Sequence, residues 1–283
     1  MKKLLFASVV AAMAFAVNAS AQIDLKVNDY SQFTVGAGYI NETVISKEAG
    51  ILEGNNTGHS WTKQRMMLNG FYVEVLYNLD LTDIDPGELV LETGLRYNCL
   101  INLAENSSTN IKSTNGSETT LVKGSSTTTT SNHLIDVPVH LKYAYDFVPA
   151  KVRAYAFAGP VLSFGLDAQT RVSSKYSSEY QNEKTVARQI EQVNGYTGQY
   201  FIKTYNSETK KYDIQRGEDE KYRKYNMFDL KIALGLGVTI SEKVDVKFGY
   251  NIGLLNRAYV KKANDIKYSI HSNLLYFGAA YNF

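Results

Sequence analysis

Thirteen consecutive residues, Phe228 to Ile240, alternate without a break. Phe228, Leu230, Ile232, Leu234, Leu236, Val238 and Ile240 fall on one side. Asp229, Lys231, Ala233, Gly235, Gly237 and Thr239 fall on the other. A period of two is the pleat of a β-strand, and a helix has no use for it. The polar triplet Ser241-Glu242-Lys243 then turns the chain, and Val244, Val246, Phe248, Tyr250, Ile252 and Leu254 resume the alternation. The last segment repeats it, with Asn273, Leu275, Phe277, Ala279, Tyr281 and Phe283 on one face.

Earlier segments have the same period. They begin with Phe33, Val35, Ala37 and Tyr39, continue with Phe71 to Leu79 and Leu89 to Tyr97, and include Ile135 to Phe147. Lys151 to Ala168 reads as a strand by composition, but its pattern leaves open whether Arg153, Tyr155 and Phe157 face in or out; Gly159-Pro160 is a place for a bulge. The total is eight strands, each long enough for the roughly 9–11 residues a tilted membrane strand requires. Connections alternate in length. Residues 83–87, 148–150 and 241–243 are short, whereas 41–66, 104–131, 168–226 and 259–268 are long. Short turns on one side and long loops on the other predict an all-β fold: a closed, antiparallel, eight-stranded, up-and-down transmembrane β-barrel. The long loops are expected outside the cell and both termini in the periplasm.

The N-terminus fits export. Met1-Lys2-Lys3 is basic, Leu4 to Val17 is apolar, and Ala19 and Ala21 make an Ala-x-Ala cleavage pattern. Residues 1–21 are therefore expected to be a removed signal peptide, with 22–283 as a single barrel domain in the outer membrane of a Gram-negative bacterium. The leader holds two of the 30 basic residues and no acid, so the remainder has 28 basic and 28 acidic residues. Such a balance argues against nucleic acid as a partner. Cys99 is the lone cysteine, which excludes an internal disulfide framework, and four histidines with one cysteine are too thin a supply for a structural zinc site. No metal, cofactor or catalytic residue is expected.

A soluble barrel of lipocalin type would hide the apolar face inside. Two features favour the reverse. The polar face is rich in glycine with few, mixed charges, and aromatics stand near strand ends on the apolar face, as interfacial girdles do. Glu74, Glu92, Arg96, Asp136, His140, Lys142, Asp229, Lys231, Asp245 and Lys247 are then expected to point into a lumen that side chains fill, pairing as a rigid plug. Asp136 and His140 share a face but lie about 13 Å apart along a strand, too far for a catalytic pair. His59, His133 and His271 have no readable partner.

The loops are the distinctive part. Asn106 to Asn132 is dominated by Ser, Thr, Asn and Gly, and either stays mobile or extends the strand pair. Residues 168–226 carry eight tyrosines, of which Tyr176, Tyr180, Tyr196, Tyr200, Tyr205 and Tyr212 are candidate binding residues, because tyrosine offers amphipathic contact area at low entropic cost. Tyr200 to Tyr205 and Lys211 to Gln215 fit a hairpin around Ser207-Glu208-Thr209, and Val186, Ile190 and Val193 at helical spacing predict a short helix over Glu183 to Gln192.

From His133 onward the chain resembles the PorT-type outer-membrane barrel family of Bacteroidetes-like bacteria. The carrying residues are Ile135-Asp136-Val137-Pro138-Val139-His140-Leu141-Lys142-Tyr143, Tyr155-Ala156-Phe157-Ala158-Gly159-Pro160, Leu234-Gly235-Leu236-Gly237-Val238 and Tyr250-Asn251-Ile252-Gly253-Leu254. The ending Tyr281-Asn282-Phe283 is similar to the C-terminal aromatic signal read by the barrel-assembly machinery. The resemblance implies the barrel fold and leaves its use open. The expected partners are outer-membrane lipid and lipopolysaccharide, the assembly machinery at the last strand, and a protein or glycan at the loops. The expected role is non-enzymatic binding or scaffolding within a secretion or envelope assembly; the alternative is a narrow channel for small solutes or ions.

Overall fold

The computed structural model describes residues 33–52, 58–84, 86–115, 118–149, 151–180, 183–206, 209–260, 262–263 and 266–283. The expected leader, 1–21, lies outside them. Among the described residues twelve strands form one antiparallel sheet: β1 Phe33–Leu52, β2 Gly58–Ile84, β3 Gly87–Asn115, β4 Glu118–Val148, β5 Val152–Tyr180, β6 Glu183–Asn194, β7 Gln199–Asn206, β8 Lys211–Glu218, β9 Phe228–Ile240, β10 Val244–Gly253, β11 Lys262–Ala263 and β12 Ile266–Asn282.

Eight of them pair in a ring that follows chain order: β1, β2, β3, β4, β5, β9, β10, β12 and back to β1. The ring is staggered. One way round, Gly36 pairs with Glu74, Glu74 with Arg96 and Arg96 with Asp136. The other way, Gly36 leads through Ala280, Asp245, Thr239 and Arg153 to Asp146. The two routes reach β4 at 136 and 146, an offset of ten residues, which is the shear that tilts the strands.

The period-two pattern sorts the wall. Phe71, Val73, Val75, Leu141, Leu234, Leu236, Phe248 and Phe277 are all exposed on the outside, while Tyr72, Glu74, Arg96, Asp136, Lys231, Lys247 and Tyr276 are all buried on the inside. Each large aliphatic or Phe side chain left against water forgoes roughly 1.5–3 kcal/mol of burial. A continuous outer band of them is stable only where the surroundings are themselves apolar. Among the described residues no helix is long and apolar enough to cross a membrane.

Tight turns close one rim. Between β9 and β10, Ser241 and Glu242 both have positive φ, 50° and 60°, and Lys243 N donates to Ile240 O at 3.1 Å. Two successive left-handed residues in a connection of three, 241–243, give a turn whose hand suits strand twist.

The far rim departs from the sequence reading. The expected long loops are largely strand. β3 and β4 stay paired out to Asn115 and Glu118, and β5 continues to Tyr180. Past Phe164, β5 exchanges its partner β9 for β6, with Gln169 opposite Asn194. β7 and β8 add on as a hairpin, as Tyr200–Tyr205 and Lys211–Gln215 indicated, so β3 to β8 project as one polar sheet. The short helix expected over Glu183 to Gln192 is β6 instead. Its backbone is claimed by β5 on one edge and β7 on the other, and ladder pairing overrides local helical spacing.

The phase of β5 is also settled. Tyr155 and Phe157 face inward, and the register runs through Gly159-Pro160 without a shift. A bulge falls at Leu166, between the pairs His133–Asp167 and Leu134–Gly165, and moves the buried face of β5 from odd positions such as Ser163 to Ala168.

Candidate functional site

Two regions gather polar chemistry: the core inside the ring and the floor of the far rim. The core is layered. Nearest the tight turns, Glu92 accepts from Lys142 Nζ at 2.7 Å and meets His140 Nδ1 at 3.0 Å; the His140 ring stacks on Phe157 at 4.8 Å. Asp245 accepts from Tyr155 Oη at 2.7 Å and Thr239 Oγ1 at 3.0 Å. In the next layer Glu74 is held between Arg96, at 2.8 Å, and Lys247. Arg96 also lies between the rings of Tyr276 and Tyr72, 4.0 and 4.9 Å from their centroids. A shared buried carboxylate with two cations is stable only when geometry is good on both sides, and the two tyrosine faces add cation–π attraction.

Above these, Asp136 accepts from Asn98 Nδ2 at 2.8 Å and Asp229 from Ser272 Oγ at 3.3 Å. Lys231 Nζ is buried with no hydrogen-bond partner among the described residues, and neither side-chain polar atom of Asn251 has one. Asp136 and His140 share the inner face, yet each is engaged across the strands by a different residue. Among the described residues no group of three His, Cys, Asp or Glu converges as a metal cage.

At the far rim Arg257, on the β10–β11 connection, reaches down into the mouth. Its Nη1 meets Glu42 Oε1 at 3.3 Å and Ser272 Oγ at 3.2 Å, and its Nη2 donates to Tyr196 Oη at 2.5 Å. Tyr196 Oη donates in turn to Asn132 Oδ1 at 3.0 Å. The Tyr196 ring lies over Gly165, where a Cβ would overlap it. Backbone bonds lock the same segment down: Lys224 N and Tyr225 N both donate to Gly195 O, and Asn226 N donates to Arg257 O. Burial raises the Tyr196 hydroxyl to about 12, against the lowering effect of Arg257.

With this architecture in view, the model of the "Outer membrane protein beta-barrel domain" family matches residues 12–258, well over half of the chain. The chain belongs to that family. The outer-membrane barrel domain is also similar to solved structures. Ail of Yersinia pestis is 10% identical with a TM-score of 0.25, covering 90% of this chain and 99% of its own. Neisserial surface protein A is 15% identical with a TM-score of 0.28, covering 90% and 100%. The outer membrane protease OmpT of Escherichia coli is 11% identical with a TM-score of 0.34, covering 92% and 99%. Likeness at this level says nothing of what the barrel domain binds or does. No curated protein matches the chain significantly.

The candidate tyrosines of the outer-membrane barrel domain separate into two groups. Tyr196 is fully buried, which removes it from any contact surface: it is a peg in the mouth. Tyr176 and Tyr212 are exposed, Tyr205 packs on Tyr212 with ring centroids 5.2 Å apart, Tyr200 packs on Tyr222 at 5.1 Å, and Lys203 Nζ sits 4.3 Å over the Tyr212 ring. The side chain of Tyr180 lies outside the described ones, as does that of His59. His133, expected without a partner, bonds Tyr97 Oη through Nδ1 at 2.7 Å; His271 sits on β12 opposite Ile45. Tyr281 and Phe283 stand on the outer face and touch each other edge-on at 5.0 Å.

Sequence reasoning missed Glu42, Arg257, Tyr72 and Tyr276. Glu42 continues the inward parity of Thr34, Gly36 and Ile40, so extending the first strand would have found it. Arg257 carries no periodic signal at all.

Proposed function

We propose that the chain is a closed, eight-stranded transmembrane barrel, with both termini in the periplasm, that works as a non-enzymatic binding or scaffold protein through the projecting β3–β8 sheet. In that orientation the far rim faces outside the cell, and the PorT-like residues fit a place in a secretion or envelope assembly. The observation that carries the reading is the docked sheet. A loop of this length that merely connected β5 to β9 would not need a buried peg, an ion-paired arginine and a ladder to β5. Held rigid, its tyrosines and cations form a contact surface at low ordering cost.

The test is site-specific photo-crosslinking in native outer membranes from position 176, on β5 outside the hairpin. Crosslinks to one protein or glycan, lost when the β7–β8 hairpin is replaced by a two-residue turn, support the reading. Unchanged crosslinks after that replacement refute it.

A second reading, a narrow path for small solutes or ions, draws on the polar atoms of Lys231 and Asn251 that have no partner among the described residues, which call for water inside the wall. Planar-bilayer conductance that changes on Lys231→Met would favour it.

A further inference from the structure

Beside the Tyr196 peg lies an open cavity of about 840 Å³. Inward-facing residues of β1, β2 and β12 make its wall, among them Ser46, Gln64, Met66 and Tyr268. Its other side is the segment that caps the mouth, which contributes Lys221, Arg223, Lys224 and Tyr225, and Arg65 borders it from β2. Among the described residues no carboxylate lines it.

The charges are only partly answered. Asp219 pairs with Lys221 at 2.9 Å. Arg223 spends Nε on Tyr196 O and Nη1 on Tyr259 Oη, both at 3.1 Å, and stacks over the Tyr259 ring at 4.0 Å. This fixes its guanidinium while leaving Nη2 without a partner among the described residues. Lys224 has both backbone groups tied, N to Gly195 O and O to Tyr259 N, and its Nζ has no partner among the described residues. The cations are therefore presented on a held backbone, which lowers the cost of ordering them around a ligand.

We propose that this cavity binds an anionic saccharide, a sugar carrying phosphate or sulfate. Arginine and lysine together suit such groups, the first by its planar fork and the second as a point charge. Tyr225 and Tyr268 offer aromatic faces with hydroxyl handles, and Ser46 and Gln64 offer hydrogen-bonding groups for sugar hydroxyls. The volume is that of a site for a few sugar rings rather than one ion. The proposal rests on the binding role given above and names the ligand chemistry for it.

The full-length folded protein in detergent would be titrated with four probes: a sulfated heparin hexasaccharide, the phosphorylated core oligosaccharide of lipopolysaccharide, a neutral dextran hexasaccharide and inorganic phosphate. At least one anionic sugar should bind one-to-one, weaken with added salt, and lose about tenfold in affinity on Lys224→Glu. Binding of the sulfated sugar alone identifies a glycan from outside the cell, and binding of the phosphorylated core alone identifies the membrane's own lipid. Dextran binding as tight as either, phosphate binding as tight as either, or equal affinity in Lys224→Glu and wild type each overturns the proposal. Lys224→Gln serves as a second variant should Lys224→Glu disturb folding. If sugar binding fails while hairpin-dependent crosslinks persist, only this site is lost. If both fail, the binding role falls as well.

Discussion

Arg257 donates to the hydroxyl of Tyr196 at 2.5 Å across 61 residues of chain. This contact joins the outer sheet to the wall, because Arg257 is ion-paired at the same time to Glu42 of β1. Tyr196→Phe keeps the ring over Gly165 and removes only the hydroxyl. Arg257 and Asn132 then each lose a buried partner, a loss of about 1–3 kcal/mol. The expected result is faster cleavage of residues 183–226 by added protease while the wall strands stay protected. Unchanged cleavage would show that the backbone bonds to Gly195 hold the segment alone.

The same hydroxyl makes docking depend on pH. Burial raises Tyr196 from the ordinary tyrosine value of 10 to about 12. A group whose folded value is raised contributes its full stabilisation below the unfolded value and loses it as pH climbs through the folded one. Docking should therefore be insensitive below about pH 10 and weaken from there toward 12. Tyrosinate absorbance read as the difference between wild type and Tyr196→Phe should show one late-titrating group that releases with the segment. A difference titration centred at the ordinary value would contradict the burial.

The wall was legible because each strand there meets two unlike environments. Phe71 and Tyr72, or Leu236 and Gly237, are neighbours in sequence that face opposite ways, and that contrast is what a period of two records. The projecting sheet has water on both sides, so Thr127 and Thr129, opposite Ser173 and Arg171, carry no such contrast and read as a loop. The pattern of β6 misleads because Val186, Ile190 and Val193 fall at helical intervals by accident of composition; Ile190 is half-buried, and Val193 is buried where β6 approaches the mouth. Pairing partners were beyond reach for a different reason. Glu42 and Arg257 are separated by 215 residues, and nothing local to either one names the other.

The shared carboxylate of the core gives a stability test. Glu74→Ala leaves Arg96 and Lys247 buried without their common anion, and breaking a buried pair from one side costs about 3–5 kcal/mol. Lys247→Met should cost less, since Glu74 keeps Arg96 and the methionine fills the space. Urea unfolding in lipid, followed by circular dichroism, should order the three proteins as wild type, Lys247→Met, Glu74→Ala. The reverse order of the two variants would mean that Lys247, and not Glu74, anchors the layer.

The β9–β10 turn offers a change in the opposite direction. Ser241 and Glu242 both occupy the left-handed region, where a side chain costs about 1 kcal/mol or more per residue and glycine or asparagine is favoured. Neither side chain is buried. Ser241→Asn with Glu242→Gly keeps the turn geometry, although it removes Glu242 side-chain charge from the rim where Lys142, Arg153 and Asp245 surround a small cavity. The Glu242 carbonyl that accepts from Asn282 Nδ2 at 3.2 Å is backbone and survives the change. The double variant should gain about 1 kcal/mol in urea unfolding and refold into vesicles faster if this hairpin forms early. A loss of stability would show that the Glu242 carboxylate contributes more at the rim than its backbone conformation costs.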